Sequence, residues 1–402
     1  MNAADSSPRF LSSGDEAGTA PEDRKFRPDV EGLRAVAVLL VLVYHAGVPS
    51  FGGGYVGVDV FFVISGFVIT GLLLRERSAT ARTSLLAFYG RRCRRILPAA
   101  TLVIVATLMA SYHWLGFIRA DQVAADARSA ALFVANFHFI SIGTNYLSAQ
   151  RPPSPLQNLW SLSVEEQFYF VYPTFFILVA ALGRRINFRA KIAGALIAVI
   201  LGSFAWSIYQ TDTNGVVAYF SPLTHAWELA LGGLVAVGTS HLSRMPALLA
   251  GSLTWAGLAA IIVAAFVFTD LTPYPGWAVS LPALGAALII GGGAAVPALG
   301  AEWLLGLPPV RWLGKLSYSL YLWHWPVLAI AAQQSGGPLP LGTNLLWLLA
   351  ALGLSIVTYY ALENPIRHAR FLARRPLASL ALGAGLTGVS LAVVFLELHT
   401  HP

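Results

Sequence analysis

Apolar residues recur along this chain in runs of about 17 to 25, each long enough at ~1.5 Å per helical residue to cross the hydrocarbon of a bilayer. Such runs lie at 32–48, 57–75, 97–116, 160–182, 191–210, 222–239, 247–268, 278–296, 316–334, 343–362 and 376–396, and each is predicted as a spanning helix. The expected fold class is therefore all-α, a polytopic integral membrane bundle of about 11 transmembrane helices. The first two runs are joined only by Ser50-Phe51-Gly52-Gly53-Gly54-Tyr55, so they form a tight hairpin whose polar groups end up close together. A longer connection follows the third run. Its stretch 123–139 is expected to form one amphipathic helix at the outer face, and Pro152, Pro153 and Pro155 break the chain before the fourth span. The first 25 residues contain no apolar run and read as a disordered tail, not a signal peptide.

Composition fits this pattern. The 402 residues are 56% hydrophobic and 11% charged, whereas soluble domains carry roughly a quarter charged residues. The net charge of +7 invites nucleic acid as a partner, but the placement of the basic residues excludes it. With the N-terminus inside, all of the 26 lysines and arginines except Arg119, Arg128 and Arg151 fall in cytoplasmic segments, as the positive-inside rule requires. An odd number of spans then leaves the C-terminus outside. The single cysteine, Cys93, in a basic segment, rules out an internal disulfide framework and is given no role.

Ionisable residues at membrane depth are costly, so each asks for a function or a partner. Arg34 and His45 lie eleven residues apart on the first span, on one face and ~16 Å apart along the axis. Asp59 opens the second span within expected reach of His45. There it either fixes the imidazole tautomer or serves as a helix N-terminal acid favoured by the dipole. Before the third span, Arg91, Arg92, Arg94 and Arg95 form a cytoplasmic cluster. Arg92 and Arg95 share a helical face and make a fork suited to phosphate groups, with anionic lipid headgroups as the bland alternative. Ser161 to Tyr169 opens the fourth span and sets Ser163, Glu165 and Glu166 near the outer surface. Successive residues point about 100° apart, so at most one glutamate faces a central cavity. His225 with Glu228, and Trp323 with His324, are read first as structural, the latter pair also suiting a stacked sugar.

Several of these segments resemble the membrane acyltransferase-3 family. They are Phe26-Arg27-Pro28-Asp29-Val30-Glu31-Gly32-Leu33-Arg34, the spacing from Arg34 to His45, Gly57-Val58-Asp59-Val60-Phe61-Phe62-Val63-Ile64-Ser65-Gly66-Phe67 and the arginine cluster. Ser161-Leu162-Ser163-Val164-Glu165-Glu166-Gln167-Phe168-Tyr169, Leu316-Ser317-Tyr318-Ser319-Leu320-Tyr321-Leu322-Trp323-His324 and Glu363-Asn364-Pro365 continue the series in order. The resemblance implies a ten-span acyltransferase domain over 26–370, with 371–402 an eleventh span and a short external end. It implies an enzyme that moves an acyl group, commonly acetyl, from cytoplasmic acyl-CoA to a hydroxyl of an extracytoplasmic or lipid-linked carbohydrate, in a bacterial cytoplasmic membrane. Arg34 and His45 take the family's essential pair, with Asp59 beside them, and Arg91, Arg92 and Arg95 take the CoA phosphates. Ser163, Glu165, Glu166, Trp323 and His324 are then the candidate acceptor groups, and no metal is expected.

On this reading His45 is either general base on the acceptor hydroxyl or the residue that receives the acyl group, and Arg34 positions the donor or stabilises developing charge. Many relatives continue into an SGNH-type domain, and no Gly-Asp-Ser motif is found here, so the chain is expected to be a piece of a longer protein or a short form. Two rivals follow from the same charges, a transmembrane acyl carrier serving a separate SGNH-type domain and a transporter of glycan intermediates.

Overall fold

Each predicted run folds as a helix. The structure, a computed structural model, describes residues 27–144, 152–182, 187–296 and 299–400. In chain order the helices are α1 (Pro28–His45), α2 (Gly57–Thr80), α3 (Leu85–Trp114), α4 (Phe117–Ala131), α5 (Ala135–Ser141), α6 (Leu159–Ala181) and α7 (Phe188–Thr213). They continue as α8 (Gly215–Phe220), α9 (Pro222–Leu242), α10 (Ala247–Val267), α11 (Ser280–Gly292), α12 (Glu302–Leu305), α13 (Pro308–Gln334), α14 (Leu341–Thr358), α15 (Asn364–His368), α16 (Arg370–Arg374) and α17 (Pro376–Thr400). No strand occurs among the described residues.

Six of these are long and apolar enough to cross a membrane: α2, α3, α7, α10, α14 with its continuation to Arg374, and α17. The other five predicted spans coincide with α1, α6, α9, α11 and α13. Helix α11 with its 3-10 extension is short, Ser280–Ala295. The remaining four carry polar residues within them: Arg34 on α1, Glu165 and Glu166 on α6, His225 and Glu228 on α9, and His324 on α13. A helix so interrupted is tolerated at membrane depth only where neighbours shield it. His225, Glu228 and His324 are in fact fully buried.

Three expectations change. The outer segment 123–139 is not one helix: α4 ends at Ala131 and α5 begins at Ala135, with Phe133 between them at φ +54°. The arginine cluster does not precede the third span but lies within it, because α3 starts at Leu85 and runs through Pro98. Cys93 accordingly sits on a helix, packed where α3 meets Gly383 of α17. The N-terminal tail lies outside the described residues.

The axis of the bundle is set by a backbone-to-backbone contact between α2 and α9. A Cβ at Gly66 would stand 1.8 Å from the carbonyl oxygen of Leu229, and one at Gly232 1.9 Å from that of Val63. Only glycine permits this approach, the device by which helices pack closely where lipid supplies no hydrophobic drive. It brings the first turn of α2 against the first turns of α9. Gly66→Ala is expected to destabilise the purified protein by about 1–3 kcal/mol through overpacking, read as a lowered melting temperature in detergent. Gly194→Ala, where nothing lies within 4 Å of the added carbon, is expected to leave the transition in place.

Candidate active site

Helices α1, α2, α3, α6 and α13 surround a partly open cavity. Its walls carry Arg34, Arg92, Arg95 and Glu165, with Ser65, Tyr169, Ser317 and Tyr318 between them and Phe61, Ser161 and Tyr321 at one end. Arg92 and Arg95 both face it, as their spacing of three predicts.

The four arginines of α3 divide, because successive residues on one helix face four different neighbours. Arg91 pairs with Glu76 of α2 at 2.7 Å, with its side chain 37% exposed. Arg92 donates to Glu166 Oε1 at 2.6 Å, stands 3.7 Å from Glu165 Oε1, and lies with its guanidinium carbon 3.7 Å from the centroid of the Tyr169 ring. Arg94 donates to Ser379 Oγ of α17 and to the Leu372 carbonyl. Arg95 has no hydrogen bond or ion pair among the described residues and lines the cavity. The expected fork thus retains Arg92 and Arg95 and loses Arg91, which points to the α2 surface.

The glutamates of α6 are likewise displaced from their expected place at the outer surface. They lie a turn and more into the helix, where Ser65 Oγ and Tyr169 Oη each donate to Glu165 Oε1 at 2.7 Å. Only Glu165 reaches the cavity wall. The donor and acceptor groups that the sequence separates are therefore one part-buried ion cluster. Ser163 Oγ is turned back to the Leu159 carbonyl of its own helix, and Trp323 Nε1 donates to Thr358 Oγ1, so neither faces the cavity.

On α1, Arg34 Nε donates to Ser317 Oγ at 3.1 Å and its guanidinium faces the cavity. His45, at the far end of the same helix, is outside it. A layer made by Tyr321 and His324 intervenes, with ring centroids 5.4 Å apart for that pair and 5.2 Å for His324 and His45. Tyr321 is itself held by the Ser161 hydroxyl at 2.7 Å and by Asn158 Nδ2 donating to its carbonyl.

The two imidazoles fix each other's tautomers. His324 Nδ1 is 2.7 Å from the Tyr321 carbonyl, which can only accept, so Nδ1 carries the proton. His324 Nε2 is then an acceptor, and His45 Nδ1, 3.0 Å away, donates to it. The basic lone pair of His45 is thereby assigned to Nε2. His324, expected as an acceptor-binding or packing residue, orients His45.

Asp59 does not perform that task. Its carboxylate accepts from the Tyr274 hydroxyl and lies 3.9 Å from His225 Nδ1, which is 2.9 Å from Glu228 Oε1. The hairpin turn does place Asp59 at the end of α2 nearest His45, but the contact with α9 directs the carboxylate away from α1.

Sequence reasoning also missed Glu363. A π-helical stretch, Tyr359–Glu363, follows α14 and turns this glutamate inward, where Ser319 Oγ donates to it at 2.6 Å. Such single π turns commonly mark functional positions. The alternation of Ser317 and Ser319, one bonded to Arg34 and the other to Glu363, was the available signal.

An acyltransferase domain model, that of the acyltransferase-3 family, matches residues 27–364. The chain is similar to the Bacillus subtilis protein YrhL, 33% identical over 364 residues. It is similar also to the peptidoglycan O-acetyltransferase OatA of Listeria monocytogenes, 31% identical over 368 residues, and to the O-acetyltransferase OatA of Staphylococcus aureus, 31% identical over 360. These matches cover 86%, 88% and 86% of this chain but only 56%, 58% and 58% of the relatives. No solved structure matches.

Removing one partner of a buried ion pair leaves an uncompensated charge, at a cost of about 3–5 kcal/mol, whereas exposed pairs contribute roughly 0–1. The Arg92–Glu166 pair, 12% and 15% exposed, lies between these limits, so Arg92→Ala is expected to lower the melting temperature more than Arg91→Ala, as measured by thermal unfolding in detergent.

Proposed function

The chain belongs to the acyltransferase-3 family, and from that premise we propose that it is the membrane part of an O-acetyltransferase. It would take an acetyl group from acyl-CoA on the cytoplasmic side and direct it to a hydroxyl of a cell-wall carbohydrate outside. The peptidoglycan and O-acetyl transfer in the names of its Listeria and Staphylococcus relatives support this choice of acceptor and acyl group. We propose with it eleven crossings, an N-terminus inside and a C-terminus outside, on the strength of the charge distribution. An SGNH-type partner domain fits the half-length match to those relatives.

The observation that carries the proposal is the charge of the cavity. Three guanidinium groups, Arg34, Arg92 and Arg95, face it; Arg92 is paired with Glu166 and Glu165, whereas Arg34 and Arg95 have no carboxylate partner among the described residues. Such a chamber suits a polyanion whose phosphates supply the missing negative charge, and acyl-CoA is one. A transported glycan intermediate has less use for a wall of guanidinium groups, so transport is the weaker reading.

In the proposed reaction, Nε2 of His45 takes the proton of the acceptor hydroxyl and the alkoxide oxygen attacks the thioester carbon. The C–S bond breaks as the C–O bond forms, and the proton passes to the departing thiolate. Arg34 lies near enough to the donor's path to offset the negative charge that develops. His324 holds His45 in the tautomer that leaves Nε2 basic, in the way an orienting residue serves a catalytic histidine.

Titration of the purified full chain with acetyl-CoA by calorimetry is expected to show binding that Arg95→Ala weakens at least tenfold. Unaltered binding in that variant, or none in the wild type, overturns the donor assignment. His45→Ala is expected to cut acetyl transfer in membranes by about 10²–10⁴-fold, the usual contribution of a general base, while leaving acetyl-CoA binding within twofold.

A further inference from the structure

Asp59, His225 and Glu228 have no place in the reaction above, yet they form a fully buried polar group, at 2%, 1% and 0% exposure. They stand where α2 and α9 begin, beneath Phe62 and Trp160, whose rings pack on His225 at 5.2 and 5.5 Å. One ligand atom from each lies within 4.8 Å of the others.

Their charges do not balance with the protein groups present. Neither carboxylate has a lysine or arginine partner among the described residues. The imidazole supplies no positive charge in the tautomer its surroundings favour. His225 Nε2 is 2.9 Å from the Tyr219 carbonyl, so that nitrogen carries a proton, and in the neutral imidazole Nδ1 presents the lone pair. That lone pair points at Glu228 Oε1, 2.9 Å away, and at Asp59 Oδ1, 3.9 Å away. Glu228 Oε2 is buried with no hydrogen-bond partner. Two anions and three converging lone pairs in a low-dielectric site are expensive unless a cation lies among them.

We propose that Asp59, His225 and Glu228 bind a divalent zinc ion that ties α2 to α9. One imidazole nitrogen and two carboxylate oxygens are a donor set that zinc accepts at about 2.0–2.2 Å, which sets neighbouring ligand atoms ~3.4 Å apart. The observed 2.9 and 3.9 Å separations bracket that value. With zinc the site is electrically neutral, the condition a membrane interior favours. The outer contacts are those a metal-bound group needs for orientation: the imidazole donates its other N–H to a backbone carbonyl, and the Tyr274 hydroxyl donates to the distal oxygen of Asp59. Because α2 also supplies Ser65 and Phe61 to the cavity wall, the ion would act as a structural staple beside the chamber, not as part of the chemistry.

The test uses the full chain purified in detergent through a tag without histidines, stripped with EDTA, exposed to zinc chloride and freed of excess by gel filtration. Mass spectrometric metal analysis is expected to find about one zinc per chain in the wild type and in Cys93→Ser. His225→Ala and Glu228→Gln are expected to hold at least tenfold less. A wild type that holds no more zinc than Glu228→Gln overturns the proposal and leaves the three groups as a proton-sharing cluster. Zinc-edge X-ray absorption on the loaded wild type gives a reading independent of whether the variants fold. A nitrogen and oxygen shell with one imidazole is expected, and a sulfur scatterer overturns the assignment.

Discussion

The contact between Arg92 and the glutamates of α6 is the constraint around which the central chamber is organised. A guanidinium carried on α3 and two carboxylates carried on α6 are each costly to withdraw from water alone, and together they bridge those helices by side-chain contacts. Tyr169 covers the guanidinium and bonds Glu165, so the cluster has an aromatic face and a polar one. Once that pair is fixed, Arg95, one turn further along α3, has only the chamber to face, and Arg34 meets it from α1. The excess positive charge is thus a geometric result of satisfying one arginine and not its neighbour.

Much of this architecture was legible in the residues themselves. Every predicted span falls on a helix, because an apolar run of that length has few alternatives in lipid. The helices that carry Arg34, Glu165, His225 and His324 are not among the six long and apolar enough to cross a membrane, because each spends part of its length on polar side chains that neighbouring helices shield. The face shared by Arg92 and Arg95 followed from helical spacing alone.

Partners were not legible, because spacing fixes direction on one helix and says nothing about what a neighbouring helix brings. Asp59 looked like a partner of His45 because the hairpin turn places their helix ends together, but the glycine contact of α2 with α9 sends its carboxylate to His225. His45 finds His324 instead, 279 residues away. Four arginines in five residues looked like one binding motif, and they proved to serve a surface glutamate, a part-buried ion cluster, helix α17 and the chamber in turn.

Tyr321, clamped by Ser161 and Asn158, separates the arginine chamber from the histidines. With the chain oriented as proposed, that partition is a single aromatic side chain thick, and it lies across the one charged passage that would otherwise breach the bilayer. A membrane that stores energy as a gradient of protons and ions cannot tolerate an open polar conduit. On the proposed reading, the same hydroxyl and amide contacts that hold Tyr321 in place would keep that passage closed to ions.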